Sequence, residues 1–452
     1  MSRPLWDRGQ PIDEVVLRFT TGRDPELDNR LVPFDALASA AHATMLARIG
    51  ILSNEELDGL LSELAAIAAD AQAGQFVVAP SDEDGHTAIE NRLTEKIGEA
   101  GRRIHTGRSR NDQVIASLRL FGREAVLELA SHVCDVASAL ADLAEQHKDV
   151  PVPGYTHTRQ GMPSTLGLLF GAHAETLMDS IPWLQTACAH LNRSPLGSAS
   201  GYGVPLPLDR RLVAELLGFD SIQLNTLGVQ NDRGKTEFLV LGAALGAVQD
   251  LGRLAADLIW FSSDELGYVK LSTEVTTGSS IMPNKRNPDV LELVRANAAR
   301  LRGRFVEIAS VASSHLPSGY HRDLQLTKEP FLEGMQSSLD MCTVMGRVLD
   351  GLTVEAQACR KALVPTIAAT DVLYGRVAAG EPFRTAYRAV AAAPDQAVAE
   401  AGDVGSLWRG RTHAGAPGAL DLAPCRHIVG EARSWIDTRR AIFDKAWELL
   451  VV

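Results

Sequence analysis

Four segments of this chain gather side chains that can move protons and hold anions. The first is 272–292, STEVTTGSSIMPNKRNPDVLE. Pro283 and Pro288 bracket a stretch that brings Ser279, Ser280, Lys285, Arg286 and Asn287 towards a helix start, which Pro288 can open at its first turn. Backbone N–H groups at such a start form an anion site, strengthened by the positive helix end. A mobile Gly/Ser loop with these groups could close over a substrate. A surface turn with solvated basic residues is the plainer alternative. The second segment, 153–160, holds Tyr155, Thr156, His157 and Arg159. Histidine is the usual general acid or base near neutral pH, although an isolated histidine is more often structural. The third, 105–113, holds His105, Arg108, Ser109, Arg110, Asn111 and Asp112. Arginine forks suit carboxylates and asparagine both donates and accepts, but a helix N-cap flanked by solvated arginines would use the same residues. The fourth, 318–328, holds Tyr320, His321, Asp323, Gln325 and Lys328.

Other chemistries find no support. No H-x-x-x-H, H-E-x-x-H or EF-hand spacing occurs, so no metal site is expected. No glycine-rich nucleotide loop follows a strand. The Gly-Ser-Ala-Ser-Gly at 197–201 lacks the preceding strand of a hydrolase elbow and reads as a loop.

These loops need rigid elements to hold them. Segments 112–148, 163–192, 234–266, 288–314 and 329–357 are long, rich in Ala, Leu, Val, Glu and Arg, and free of internal proline except for Pro182. Their length predicts long helices packed side by side in a bundle. DVASALADLAEQ and LGAALGAVQDLGRLAADLIW are apolar around much of a helical circumference. Such helices need burial on every side, which one five-helix bundle does not supply, so further copies of the chain are expected. Before the bundle, Ser53 and Glu56 form a capping box that opens a helix over 53–73, with Gly74 as its stop. A second helix is expected over 86–100. After about residue 360 the pattern predicts shorter helices. The fold class is all-α: a long central bundle (112–360) between smaller, mostly helical parts at 1–111 and 361–452.

Composition narrows the function. The chain has 452 residues, 45% hydrophobic and 22% charged, which excludes a mainly disordered chain. A formal net charge of −12 argues against duplex nucleic acid or an anionic membrane as partner. No run reaches about 18 uninterrupted apolar residues, so no membrane span is expected. The first residues, MSRPLWDRGQPIDE, lack the apolar core of a signal peptide. Cys134, Cys188, Cys342, Cys359 and Cys425 are odd in number and far apart, as in a cytoplasmic protein with reduced, buried thiols.

GSSIMPNKRNPDVLE resembles the signature of the aspartase/fumarase superfamily. Within it, SDEDGHTAIENRL at 81–93, HTGRSRNDQ at 105–113, PGYTH at 153–157 and ATDVLYGRVAAGEPFRTAY at 369–387 are similar to the argininosuccinate lyase family. The resemblance spans nearly the whole chain. It implies a homotetramer whose central helices merge and whose active sites are shared between subunits. It implies β-elimination of argininosuccinate to L-arginine and fumarate by acid–base catalysis, with no cofactor. Carried over position by position, Ser279 is the base, and His157 is the acid towards the leaving guanidinium. Glu292 pairs with His157, and Lys285 and Asn287 hold the carboxylate where charge builds. Asn111, Thr156, Tyr320, Gln325 and Lys328 contact substrate, with Ser109 and Arg110 beside them.

Three places depart from the family pattern. LWDRGQPID stands where a Gly-Gly-Arg-Phe stretch is common, Asp24 falls where a substrate-contacting serine is common, and Arg159 lies close to His157. Asp24 and Arg159 could favour a lyase acting on another N-succinyl adduct; a non-catalytic protein on the same scaffold is a further alternative, against which the retention of Ser279, Lys285, His157 and Glu292 argues.

Overall fold

The computed structural model describes residues 13–313 and 317–451. The signal-peptide expectation and nearly all of the LWDRGQPID departure concern residues outside this range, as do His315 and Leu316. The first layer comprises α1 (Glu14–Thr21), α2 (Asp24–Asp28), α3 (Val32–Arg48), α4 (Asn54–Gln72), α5 (Gly85–Ile97) and α6 (Glu99–Arg103). The capping box at the start of α4 is present: the Glu56 N–H donates to Ser53 Oγ at 3.1 Å and the Ser53 N–H to the Glu56 carboxylate at 2.9 Å. The helix expected over 86–100 is cut at Gly98, where the backbone turns to φ +61° and α6 begins.

The bundle starts with α7 (Arg110–Gln146), 37 residues long. An antiparallel hairpin follows, β1 (Pro151–Thr156) and β2 (Arg159–Thr165), then α8 (Leu166–Met178) and α9 (Ile181–Leu191). After the short α10 (Arg210–Leu216) and α11 (Thr226–Asn231) come the long α12 (Lys235–Phe261), α13 (Asp289–Ala312) and α14 (Lys328–Asp350). Four of the five expected long helices are therefore single helices. The segment 163–192 is two, because Pro182 lacks an N–H to continue the ladder and instead sits in the first turn of α9. The second segment, 153–160, lies within this hairpin and is not only a loop. The expectation of shorter helices after residue 360 fails at its end: a 28-residue helix, Ala423–Leu450, lies along α7. Its buried residues Cys425, Val429, Ala432, Ile436 and Phe443 recur at helical spacing and join the bundle's core.

The bundle core is built from Leu, Val and Ala of α7, α8, α9, α12, α13 and α14. Its helices approach closely. A Cβ on Gly334 of α14 would lie 2.5 Å from a methyl group of Leu241 on α12. A second apolar cluster joins α3, α4 and α5 to α10 and to Leu450. All five cysteines are free and buried.

One helix, α12, is long and apolar enough by length and composition to cross a membrane, contrary to the expectation of none. It packs against α9, α13 and α14, and Val240, Leu241, Leu251, Leu254 and Leu258 are buried there. A core helix explains its composition.

Candidate active site

The bundle and the first layer enclose a cleft of about 220 Å³, which receives side chains from two of the four segments, 105–113 and 318–328. Arg110 and Asn111 reach it from the first turn of α7, Tyr320 and Gln325 from the segment before α14, and Lys328 from the first residue of α14. Five of the expected substrate contacts thus converge. Ser109 is the N-cap of α7: its hydroxyl accepts the Asn111 N–H at 3.3 Å, while its own N–H donates to Asp112 at 2.9 Å. The capping alternative therefore describes Ser109, whose place is behind the cleft wall. Asp112 also accepts the N–H groups of Gly197 and Ala199 at 3.1 and 2.8 Å, tying the 197–201 loop to the same helix start. Burial pushes this carboxyl up to about 6 against the pull of those N–H groups.

Charge in the cleft is densely paired. Arg110 Nε donates to Asp84 at 2.6 Å, and its guanidinium also faces Glu83. Burial opposes ionisation of Asp84, but His86 and Arg110 outweigh it and hold the carboxyl below its usual range. Lys328 is 2% exposed and lies between two carboxylates, 2.6 Å from Asp28 and 2.9 Å from Asp24. Burial alone would favour neutral amine, yet Asp28 and Asp24 raise its pKa, so the ammonium persists. Asp24 is itself raised, chiefly by burial and partly by Asp28, against the pull of Lys328.

Sequence reasoning missed Arg233, Arg322, Glu83 and Asp84 in this cleft. Glu83 and Asp84 lie in the SDEDG turn already quoted for its resemblance, and Arg322 lies inside the fourth segment. Arg233 ends a polar QNDR stretch just before the apolar α12, and only its folded surroundings mark it. His321 bonds the Pro317 carbonyl at 3.2 Å and does not line the cleft.

Behind the wall, His86 Nδ1 contacts Asp35 in a fully buried pair. Burial lowers the imidazole's affinity for a proton, but Asp35, helped by Asp84 and Asp28, raises it more, and the net shift is upward. A raised folded value stabilises the fold fully below the unfolded value of about 6.5, and that contribution is lost as pH rises through the folded value. His86→Gln should therefore lose stability relative to the parent at pH 6, with the gap closing towards alkaline pH by up to about 1.4 kcal/mol per unit. Urea midpoints from pH 6 to 9 check this, and parallel profiles would contradict it.

His157 and Thr156 lie on the β1–β2 hairpin. Thr156 pairs with Arg159, leaving His157 and Thr158 as a two-residue turn with φ +54° and +59°. Such a turn normally carries Asn or Gly, so its sequence gives no hairpin signal here. Strain of this kind persists where the surroundings hold it. Here Tyr155 Oη bonds Tyr268 Oη at 2.6 Å, and Gln160 bonds the Ala362 carbonyl at 2.8 Å and the Val364 N–H at 3.1 Å. The hairpin thus presents an exposed His157 from a fixed base.

Ser279 begins the tip of a second, smaller hairpin, in which Thr277–Gly278 pairs with Arg286–Asn287. Its Oγ accepts the N–H groups of Ile281 at 3.3 Å and Met282 at 3.1 Å. Two donors on one hydroxyl oxygen favour its deprotonated form. Lys285 and Glu292 are exposed, and Asn287 is half-buried at the base of the loop. Ile281, at the tip, is 83% exposed. Among the described residues, no hydrogen bond or ion pair joins His157 to Glu292, or either hairpin to the cleft.

A family model described as "Lyase" matches residues 12–303. The argininosuccinate lyase of Sorangium cellulosum is 44% identical over 422 residues, 93% of this chain and 97% of that protein. The chain belongs to the argininosuccinate lyase family. The argininosuccinate lyase of Stenotrophomonas maltophilia (strain K279a) is 45% identical over 88% of this chain and 92% of its own length. Among solved structures, an EDDS lyase in complex with formate superimposes with a TM-score of 0.79 at 23% identity, covering 98% of this chain and 97% of that one. A fumarate lyase:delta crystallin from Brucella melitensis gives 0.70 at 19%, covering 92% and 95%. Those structures share the all-α bundle fold.

Proposed function

We propose that this lyase splits argininosuccinate into L-arginine and fumarate, with Ser279 as base and His157 as acid. The proton to be removed is on the carbon beside a succinyl carboxylate and is weakly acidic. Loss of that proton pushes charge into the carboxylate, giving a dianion that needs preorganised positive charge. Ser279 takes the proton, and the Ile281 and Met282 N–H groups lower the cost of its alkoxide. Lys285 and Asn287 hold the carboxylate. The C–N bond then breaks, and His157, tuned by Glu292, protonates the leaving nitrogen. Thr156, Asn111, Tyr320 and Gln325 position the substrate, with Arg110 setting the cleft wall.

The observation that carries this assignment is Ser279 Oγ accepting two N–H groups at the tip of an exposed hairpin in a lyase-family chain. The separation of the two hairpins and the cleft within one chain supports a homotetramer that brings three copies to each site. So does the groove of about 330 Å³ between α13 and α14, near which Leu293 is exposed. The same proposal places the enzyme in the cytoplasm, in arginine biosynthesis, and divides the chain at about 111 and 360, with the C-terminal helix docked on the bundle.

Ultraviolet absorbance tests it. Purified protein should release fumarate from argininosuccinate and not from adenylosuccinate, aspartate or malate. Silence on argininosuccinate from a well-formed tetramer would overturn the assignment.

A further inference from the structure

Asp24 and Arg233 are oppositely charged residues lining the cleft, and each keeps an unused hydrogen-bonding position: Asp24 pairs with Lys328 through one oxygen only, and the Arg233 Nε has no acceptor. Asp24, Asp28 and Lys328 set two carboxylates against one ammonium, which leaves one negative charge in surplus. Lys328 faces Asp24 Oδ1, and among the described residues no hydrogen bond occupies Asp24 Oδ2. Arg233 is 4% exposed, its Nε has no hydrogen-bond partner, and no carboxylate among the described residues lies within ion-pair distance of it. Its guanidinium stands over the Tyr320 ring, 5.1 Å from the centroid, and lines the same cleft. The Glu237 carboxylate nearby is engaged by the Gly234 N–H at 2.7 Å. Arg233 and Asp24 feel each other electrostatically without bonding.

A buried guanidinium with an open donor requires an acceptor, and a buried surplus carboxylate requires a cation. One ligand class meets both needs at once: a zwitterionic α-amino acid end. We infer that Asp24 and Arg233 clamp the α-ammonium and α-carboxylate of the amine half, which makes Asp24 a specificity-determining residue. The inference rests on the lyase assignment only in naming the amine half as arginine. A serine at residue 24 could accept one hydrogen bond from an ammonium but would bring no charge. With Asp24 in its place, amines lacking a free α-ammonium are selected against.

Calorimetric titration of the assembled protein with L-arginine, agmatine and Nα-acetyl-L-arginine tests the clamp without requiring turnover. Agmatine lacks the carboxylate and the acetyl compound lacks the ammonium. The parent should bind each about tenfold or more weakly than L-arginine. Asp24→Asn should weaken L-arginine to the level of the acetyl compound while leaving the acetyl compound unchanged. Asp24→Ser, judged beside it by thermal melting, guards against a folding defect. Equal affinity for the three probes in the parent, or undiminished discrimination in both variants, would overturn the clamp. Discrimination with no fumarate release from argininosuccinate would leave the clamp standing and remove the lyase assignment.

Discussion

Ser279→Ala keeps the assembled protein intact and removes turnover. The hydroxyl accepts two N–H groups of its own loop, and no hydrogen bond among the described residues ties it to the bundle, so the fold does not depend on it. A positioned general base contributes about 10²–10⁴ in rate, and this reaction offers no easy substitute because the proton is weakly acidic. We expect kcat to fall by about 10³ or more, with KM much less affected, since the oxygen acts in proton removal and not in ground-state binding. Sedimentation should report the parent oligomer. A variant with near-normal kcat would show that another group takes the proton.

Lys328→Met should be the most destabilising single change at the cleft. The resemblance assigns Lys328 to substrate, yet its ammonium is enclosed by Asp24 and Asp28, and Asp28 also accepts the Gly85 N–H at 3.0 Å. Removing the ammonium leaves two carboxylates facing each other in a buried site, a loss of about 3–5 kcal/mol. The remaining carboxyls would then have raised folded pKa values. Their contribution is present below the unfolded value of about 3.9 and lost as pH rises, so the deficit should be largest near pH 8 and shrink towards pH 5. Urea midpoints at the two pH values read this, and adding Asp24→Asn should recover part of the loss. A variant that unfolds like the parent but shows a raised KM would instead make Lys328 a direct substrate contact.

The long helices were legible because periodic apolar patterns over more than 20 residues have few other solutions. The break at Pro182 was visible as a residue, but its consequence depended on whether the proline fell inside a helix or in a first turn. The helix Ala423–Leu450 carries its stripe in the sequence, thinly, among many charged residues. The hairpin at 151–165 was hidden because its turn is His157-Thr158, whose positive φ values no propensity suggests. Five cleft residues followed from polar loops at helix starts, whereas Arg233 became meaningful only when folding set it beside Tyr320 and Asp24. Lys328 shows the converse: the resemblance implied a ligand contact, and burial between two carboxylates revealed a structural task as well. The proposed meeting of Ser279 with His157 was not readable from one chain, within which no hydrogen bond joins the two hairpins.

Hybrid assembly tests the proposed sharing of one site between copies. Ser279→Ala and His157→Ala proteins, each nearly inactive, are dissociated together in mild urea and reassembled, and fumarate release from argininosuccinate is measured. If each site draws its base and its acid from different copies, some mixed sites receive both intact residues and activity returns to a sizeable fraction of the parent's. If mixed oligomers form and stay as inactive as the separate variants, Ser279 and His157 do not act together across chains, and the shared-site mechanism is wrong.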